Sequence, residues 1–190
     1  MKNAFVFLII VFLAGCSASP SKLASVAKNE SARLGVTARP LSEFSDFELK
    51  PMELSAGVAE RNEKVKIAKQ LEDSLRSRLL TLIEEWKADK ASPRTVGTLV
   101  IQPKLQSLRI VSGGARFMIG AWSGDSIVDM NLELTDGKTG TIIANPRITQ
   151  TASAMGGAWS VGSTDRNLLD YIVEIAYQYL VDNYKKQENK

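Results

Sequence analysis

At 190 residues the chain is long enough to bury one ordinary core and too short for two. Hydrophobic residues at 44% and charged residues at 24% are globular values that exclude extended disorder, and a net charge of +3 scattered along the chain excludes a nucleic-acid footprint. The absence of histidine and the presence of a single cysteine exclude Ser-His-Asp and Cys-His catalysis and every zinc site built on imidazole or several thiolates.

The chain begins with one positive charge, Lys2, followed by an almost continuously apolar run from Ala4 to Leu13. That is the pattern of a secretion signal. Gly15, Cys16, Ser17 and Pro20 interrupt the run well before the ~20 apolar residues a transmembrane helix needs. Leu13-Ala14-Gly15-Cys16 resembles the lipobox of bacterial lipoproteins, with small residues before the sole cysteine. The resemblance implies removal of residues 1–15, diacylglycerol on the Cys16 sulfur and a third acyl chain on the new amino terminus, so that the membrane itself is a partner. Ser17, in place of an aspartate, then implies sorting to the outer membrane, facing the periplasm. Two lipid signals already suffice for stable anchoring. With Cys16 acylated no intramolecular disulfide can form, although the compartment is oxidising.

Residues 16–40 are small, polar or singly charged without a sustained period, which predicts a lipidated cysteine on a flexible tether of roughly 25–30 Å reach. Ser25-Val26-Ala27-Lys28 matches the S-x-x-K pattern of serine acyl-enzymes but lies in this stretch without companion motifs. A single domain is expected over residues 41–184 and a polar tail over 185–190. Phe44, Phe47, Leu49 and Met52 predict a first strand broken near Pro51. Residues 62–86 predict a long helix whose dry stripe is Ile67, Leu71, Leu75, Leu79, Leu82, Ile83 and Trp86. Its wet face carries a favourable Glu72–Arg76 spacing.

Residues 98–111 predict a long strand or bent pair interrupted at Pro103. Residues 126–135 alternate cleanly, with Val128, Met130, Leu132 and Leu134 on one side and Asp129, Asn131, Glu133 and Thr135 hydrated on the other. Asp136-Gly137-Lys138-Thr139-Gly140 supplies hairpin chemistry before a partner strand over 141–151. A helix capped by Thr164 or Asp165 then buries Leu168, Leu169, Ile172, Ile175, Ala176, Tyr179 and Leu180. The order of elements predicts an α+β fold: a two-layer sandwich with a mainly antiparallel or mixed sheet and two main helices on one face.

Gly137-Lys138-Thr139 resembles the end of a phosphate-binding loop, but Leu132 stands where the earlier glycine belongs and a strand follows instead of a helix. Asp125, Asp129, Glu133 and Asp136 have the chemistry of an oxygen-ligand metal site or a carboxylate pair, and their alternation reads more simply as a hydrated strand face. No catalytic residue, metal ligand or cofactor site is therefore expected, and the chain reads as a non-enzyme. Its least ordinary feature is an echo: Gly120-Ala121-Trp122-Ser123 with Gly124, and Gly157-Ala158-Trp159-Ser160. Glycines let the backbone turn sharply around a large amphipathic ring, so Trp122, Trp159, Gly120, Gly124 and Gly157 are the candidate partner-binding residues. The alternative is that each ring caps one end of the core.

Gly113-Gly114-Ala115-Arg116-Phe117, Ile119-Gly120, Gly124, Ser126, Val128 and the Leu134-Thr135-Asp136 to Thr139-Gly140 turn resemble the glycine-rich centre and D-x-x-T-G turn of a bacterial lipoprotein family, domain of unknown function 4410. The resemblance covers the second half of the mature chain. It implies a small envelope domain with strands and helices and supplies no catalytic residues. The expected function is a lipid-anchored binding or accessory module with an envelope protein partner, or alternatively a carrier of a lipid or glycan fragment. Self-association through an edge strand stays open.

Overall fold

A computed structural model describes residues 20–89, 96–110, 125–152 and 163–185. Among these residues the chain forms helices α1 (Pro20–Arg33), α2 (Ala56–Ala59), α3 (Asn62–Ala88) and α4 (Ser163–Asp182). Its strands are β1 (Phe44–Leu49), β2 (Glu53–Leu54), β3 (Val96–Arg109), β4 (Ser126–Asp136), β5 (Ile142–Ala144) and β6 (Arg147–Ala152). The six strands make one mixed sheet. β3 and β4 pair antiparallel at its centre, β1 and β2 run parallel to β3, and β5 and β6 both pair antiparallel with β4. The expected α+β sandwich is the observed architecture, with α3 and α4 as the two main helices.

The long helix forms where spacing predicts it, and its buried residues are Ala68, Leu71, Leu75, Leu79, Leu82, Ile83 and Trp86. They recur every three or four positions and so lie on one side. That side packs on β1 and β3 while α4 packs on β4 and β6, and between sheet and helices Leu99, Ile101, Leu105 and Leu108 of β3 and Val128, Met130, Leu132 and Leu134 of β4 are all fully buried. Each such side chain contributes about 1.5–3 kcal/mol by leaving water. Glu72 does not pair with Arg76 as its spacing suggests. Its Oε1 accepts the Met52 backbone N–H at 2.9 Å, which ties the link between β1 and β2 to the helix.

Two prolines show how the sheet tolerates residues without a backbone donor. Pro103 does not interrupt β3. Opposite it, Leu132 donates its N–H away from β3 to the Pro146 carbonyl at 3.0 Å, so the two form a non-hydrogen-bonded pair. The missing donor of Pro103 therefore points into the gap between β1 and β2, which Gln102 Nε2 spans by donating to the Pro51 carbonyl at 2.6 Å. Pro146 has the opposite effect: the single strand expected over 141–151 is divided into β5 and β6 at Asn145 and Pro146. At the hairpin, Gly140 takes φ +72°, and Gly137 donates to the Thr98 carbonyl at 2.8 Å.

The flexible tether expected over 16–40 is corrected for residues 20–33, which form α1 and pack against α4. Ala27 is fully buried, and buried Ser31 donates its hydroxyl to Asp182 Oδ2 at 2.5 Å. The stretch shows no long apolar stripe because the two residues buried most deeply on its inner side, Ala27 and Ser31, are small, and small residues suit close helix contact. Leu79→Ala, at a fully buried position of α3, is expected to lower unfolding free energy by about 2–5 kcal/mol. Gly140→Ala should cost about 1–2 kcal/mol through its left-handed backbone. Urea denaturation with an unchanged slope checks both; losses near zero would contradict the packing and the turn.

Candidate functional site

Cys16, Gly120, Trp122, Gly124, Gly157 and Trp159 lie outside the described residues. The strand ends that carry the two glycine-tryptophan stretches do not. Residues 111–124 join the end of β3 to the start of β4, and residues 153–162 join the end of β6 to α4. Arg109 pairs with Ile127, and Ser126 pairs with Ala152. The strand ends that lead into both stretches thus lie together at one end of the sheet, beside fully buried Ser126. The sequence shows the echo but not this neighbourhood, because it takes the register of β3, β4 and β6 to bring the roots together.

The nearest ionic cluster is on the uncovered side of β4. Asp129 is only 6% exposed, which corrects the expectation of a hydrated carboxylate. Arg147 on β6 donates to it twice, Nε to Oδ1 at 2.8 Å and Nη2 to Oδ2 at 2.7 Å, and Thr149 Oγ1 donates to Oδ1 at 3.0 Å. The bidentate geometry is the strong form of a charge-assisted hydrogen bond. The Arg147 guanidinium holds the Asp129 carboxyl below its ordinary range against the opposing effect of burial, and the Thr149 hydroxyl adds to the lowering. The spacing of Asp129 alone could not reveal this, since Arg147 and Thr149 arrive from across the strand pair.

Lys104 Nζ similarly meets Glu133 at 2.9 Å and Glu53 at 4.0 Å. Asp136 accepts the backbone N–H groups of Lys138 and Thr139 at 2.9 and 3.2 Å and so belongs to the turn. The acidic residues on β4 are therefore committed to separate partners. They do not converge on a common point.

A second surface, missed in the sequence, lies at the other end of the molecule. Trp86 stacks on Tyr184 with ring centres 4.5 Å apart and an interplanar angle of 13°, and Phe47 meets the same indole at 5.0 Å and 55°. Beside this column, α3 and the end of α4 enclose a surface groove of about 420 Å³ with Leu82, Trp86, Tyr177 and Tyr184 in its wall and Glu85 and Lys185 at its rim. Trp86 is legible as part of the helix stripe. Tyr184 is not, because only the turn after α4 carries it over the indole.

Residues 41–157 match the family model described as Domain of unknown function (DUF4410). No curated protein sequence matches the chain. Among solved structures it is similar to a PelC variant dodecamer from Paraburkholderia phytofirmans, at 12% identity over 74% of this chain and 90% of that chain, with a TM-score of 0.41. It is similar to the hypothetical protein CT253 from Chlamydia trachomatis at 8% identity over 73% and 99% of the two chains, TM-score 0.37. It is also similar to a protein from Caulobacter crescentus classed provisionally as a lipoprotein, at 14% identity over 81% and 95%, TM-score 0.36.

Because the folded state lowers the Asp129 pKa, the pair contributes stability above about pH 4 and loses it as pH falls through the lowered folded value. The difference in denaturation midpoint between the wild type and Asp129→Asn is expected to shrink steadily over that acidic range. A difference that does not change with pH would contradict the ion pair.

Proposed function

This chain belongs to the family of the Domain of unknown function (DUF4410), and we propose that it serves as a lipid-anchored, periplasm-facing lipoprotein of the outer membrane, acting as a non-catalytic binding or accessory module of an envelope complex. The observation that carries the binding role is the pairing of Arg109 with Ile127 and of Ser126 with Ala152, which roots the two glycine-tryptophan stretches side by side. Two amphipathic rings offered from adjacent roots suit a protein surface better than either ring alone. The anchor rests on the lipobox ending at Cys16. Support for a non-catalytic role comes from carboxylates already bound to arginine, lysine or backbone N–H groups.

The groove between α3 and α4 favours a second reading, a carrier of a lipid or glycan fragment. Between the sheet and the helices Leu71, Leu75, Leu79, Leu99 and Ile101 are buried and fill the space that such a ligand would need among the described residues. The groove, by contrast, has the volume of a small-molecule site and an aromatic wall.

A photo-crosslinking residue placed at Trp122 and, separately, at Trp159 tests the accessory reading in the native envelope, with Lys138 in the opposite hairpin as the control position. A discrete protein adduct from both tryptophan positions and none from Lys138 is the expected outcome. Adducts to lipid or glycan alone would move the assignment to the carrier, and no adduct from either would make the rings structural.

A further inference from the structure

Helix α1 sits between the acylated cysteine and the rest of the protein, so its attachment decides which way the domain faces. That attachment is specific. Ser31 donates to Asp182 Oδ2 at 2.5 Å, and Gln178 Nε2 donates to the other oxygen of the same carboxylate at 2.7 Å. The chain leaving α1 is fastened to the same place: the Thr37 N–H donates to Asn183 Oδ1 at 2.8 Å, and Asn183 is itself held by donation from Nδ2 to the Tyr179 carbonyl at 2.8 Å. Ser31 and Asn183 are 1% and 5% exposed, so these two members of the latch are shielded from water, while Asp182 is half-buried beside the groove.

The latch joins the C-terminal part of α1 to the C-terminal end of α4, and α1 packs along α4. The two helices therefore run in the same sense. α4 follows β6 and packs back across β6 and β4, so its start lies at the end of the sheet where β6 stops. The start of α1 points the same way. At the latch end, by contrast, the Ala38 N–H donates to the Ile143 carbonyl on β5, and the Gly137–Gly140 hairpin lies beyond it.

From Ser31 back to Pro20 the helix extends about 17 Å at 1.5 Å per residue. Only Ser17, Ala18 and Ser19 separate Pro20 from Cys16, and their reach is about 14 Å when fully extended. Even folded straight back, the anchor stays on the α4-start side of the latch. It cannot reach the hairpin.

We infer that α1 is a rigid mooring strut that turns the end of the sheet formed by Arg109, Ser126 and Ala152 toward the lipid bilayer and holds the hairpin and the α3–α4 groove away from it. The inference rests on acylation at Cys16. It also specifies the partner class for the accessory reading: a protein met at the bilayer surface, since the strand ends rooted at Arg109 and Ala152 face that way.

The test uses the full acylated protein reconstituted in phosphatidylethanolamine–phosphatidylglycerol vesicles carrying a nitroxide on the headgroup. A fluorophore is attached at Arg109→Cys or at Lys138→Cys, both exposed positions at opposite ends of the sheet. Severalfold stronger quenching at 109 than at 138 is expected; equal quenching at both, or stronger quenching at 138, would overturn the orientation. Ser31→Ala and Asp182→Ala, which open the latch, should each bring the two positions toward equal quenching, and an undiminished bias in both variants would overturn the strut. Vesicle flotation and the mass of the amino-terminal peptide report acylation separately. Loss of both signals would overturn the anchor reading itself, whatever the quenching pattern.

Discussion

The register of β3 against β4 is the constraint on which the remaining structure depends. It sets Leu99, Ile101, Leu105 and Leu108 beside Asp136, Leu134, Met130 and Val128, so that the helix-facing side of both strands is almost wholly apolar. A slip of one residue would turn one strand's half of that layer out to water and bring either Gln102 and Lys104 or Asn131 and Glu133 in. β1 and β2 then add to β3 on one side, and β5 and β6 to β4 on the other. The Pro103–Leu132 pair belongs to the same register. With its side chain on the helix-facing side, Pro103 turns its donorless nitrogen away from β4, where no ladder bond is lost.

Sequence periodicity reports a residue's exposure along its own element, and the elements that owe their form to that alone are the ones legible in advance. α3 is legible because Leu71, Leu75, Leu79 and Leu82 repeat at the helical period. β4 is legible because Val128, Met130, Leu132 and Leu134 alternate. α1 escapes the same reading, since Ala27 and Ser31 are buried by a neighbouring helix that needs small residues there. Asp129 escapes it too: its partners come from β6, on the far side of a break that only Pro146 marks. Of the candidate site, the glycine-tryptophan echo is visible residue by residue, whereas the adjacency of its roots requires two strand pairings of long sequence separation.

Charge is organised to the same end. Arg147 with Asp129 and Lys104 with Glu133 lie across strand pairs on the side of the sheet opposite the helices. Cross-strand pairs of opposite charge support register as well as solubility. The uncovered face is thus a lattice of satisfied charges, and the features suited to binding lie at the two ends of the molecule. One end holds the roots of the glycine-tryptophan stretches, and the other the aromatic column and groove.

The backbone closure at that second end bears on how the domain folds. Leu41 and Ser42 donate their N–H groups to the carbonyls of Asn183 and Tyr184, just before the first strand. The turn that leads into β1 is therefore closed by residues that follow α4, far along the chain. Contacts of such long sequence separation form late and fold slowly. These backbone bonds are accordingly expected among the last contacts to form, sealing the domain after its local helices and hairpin are in place.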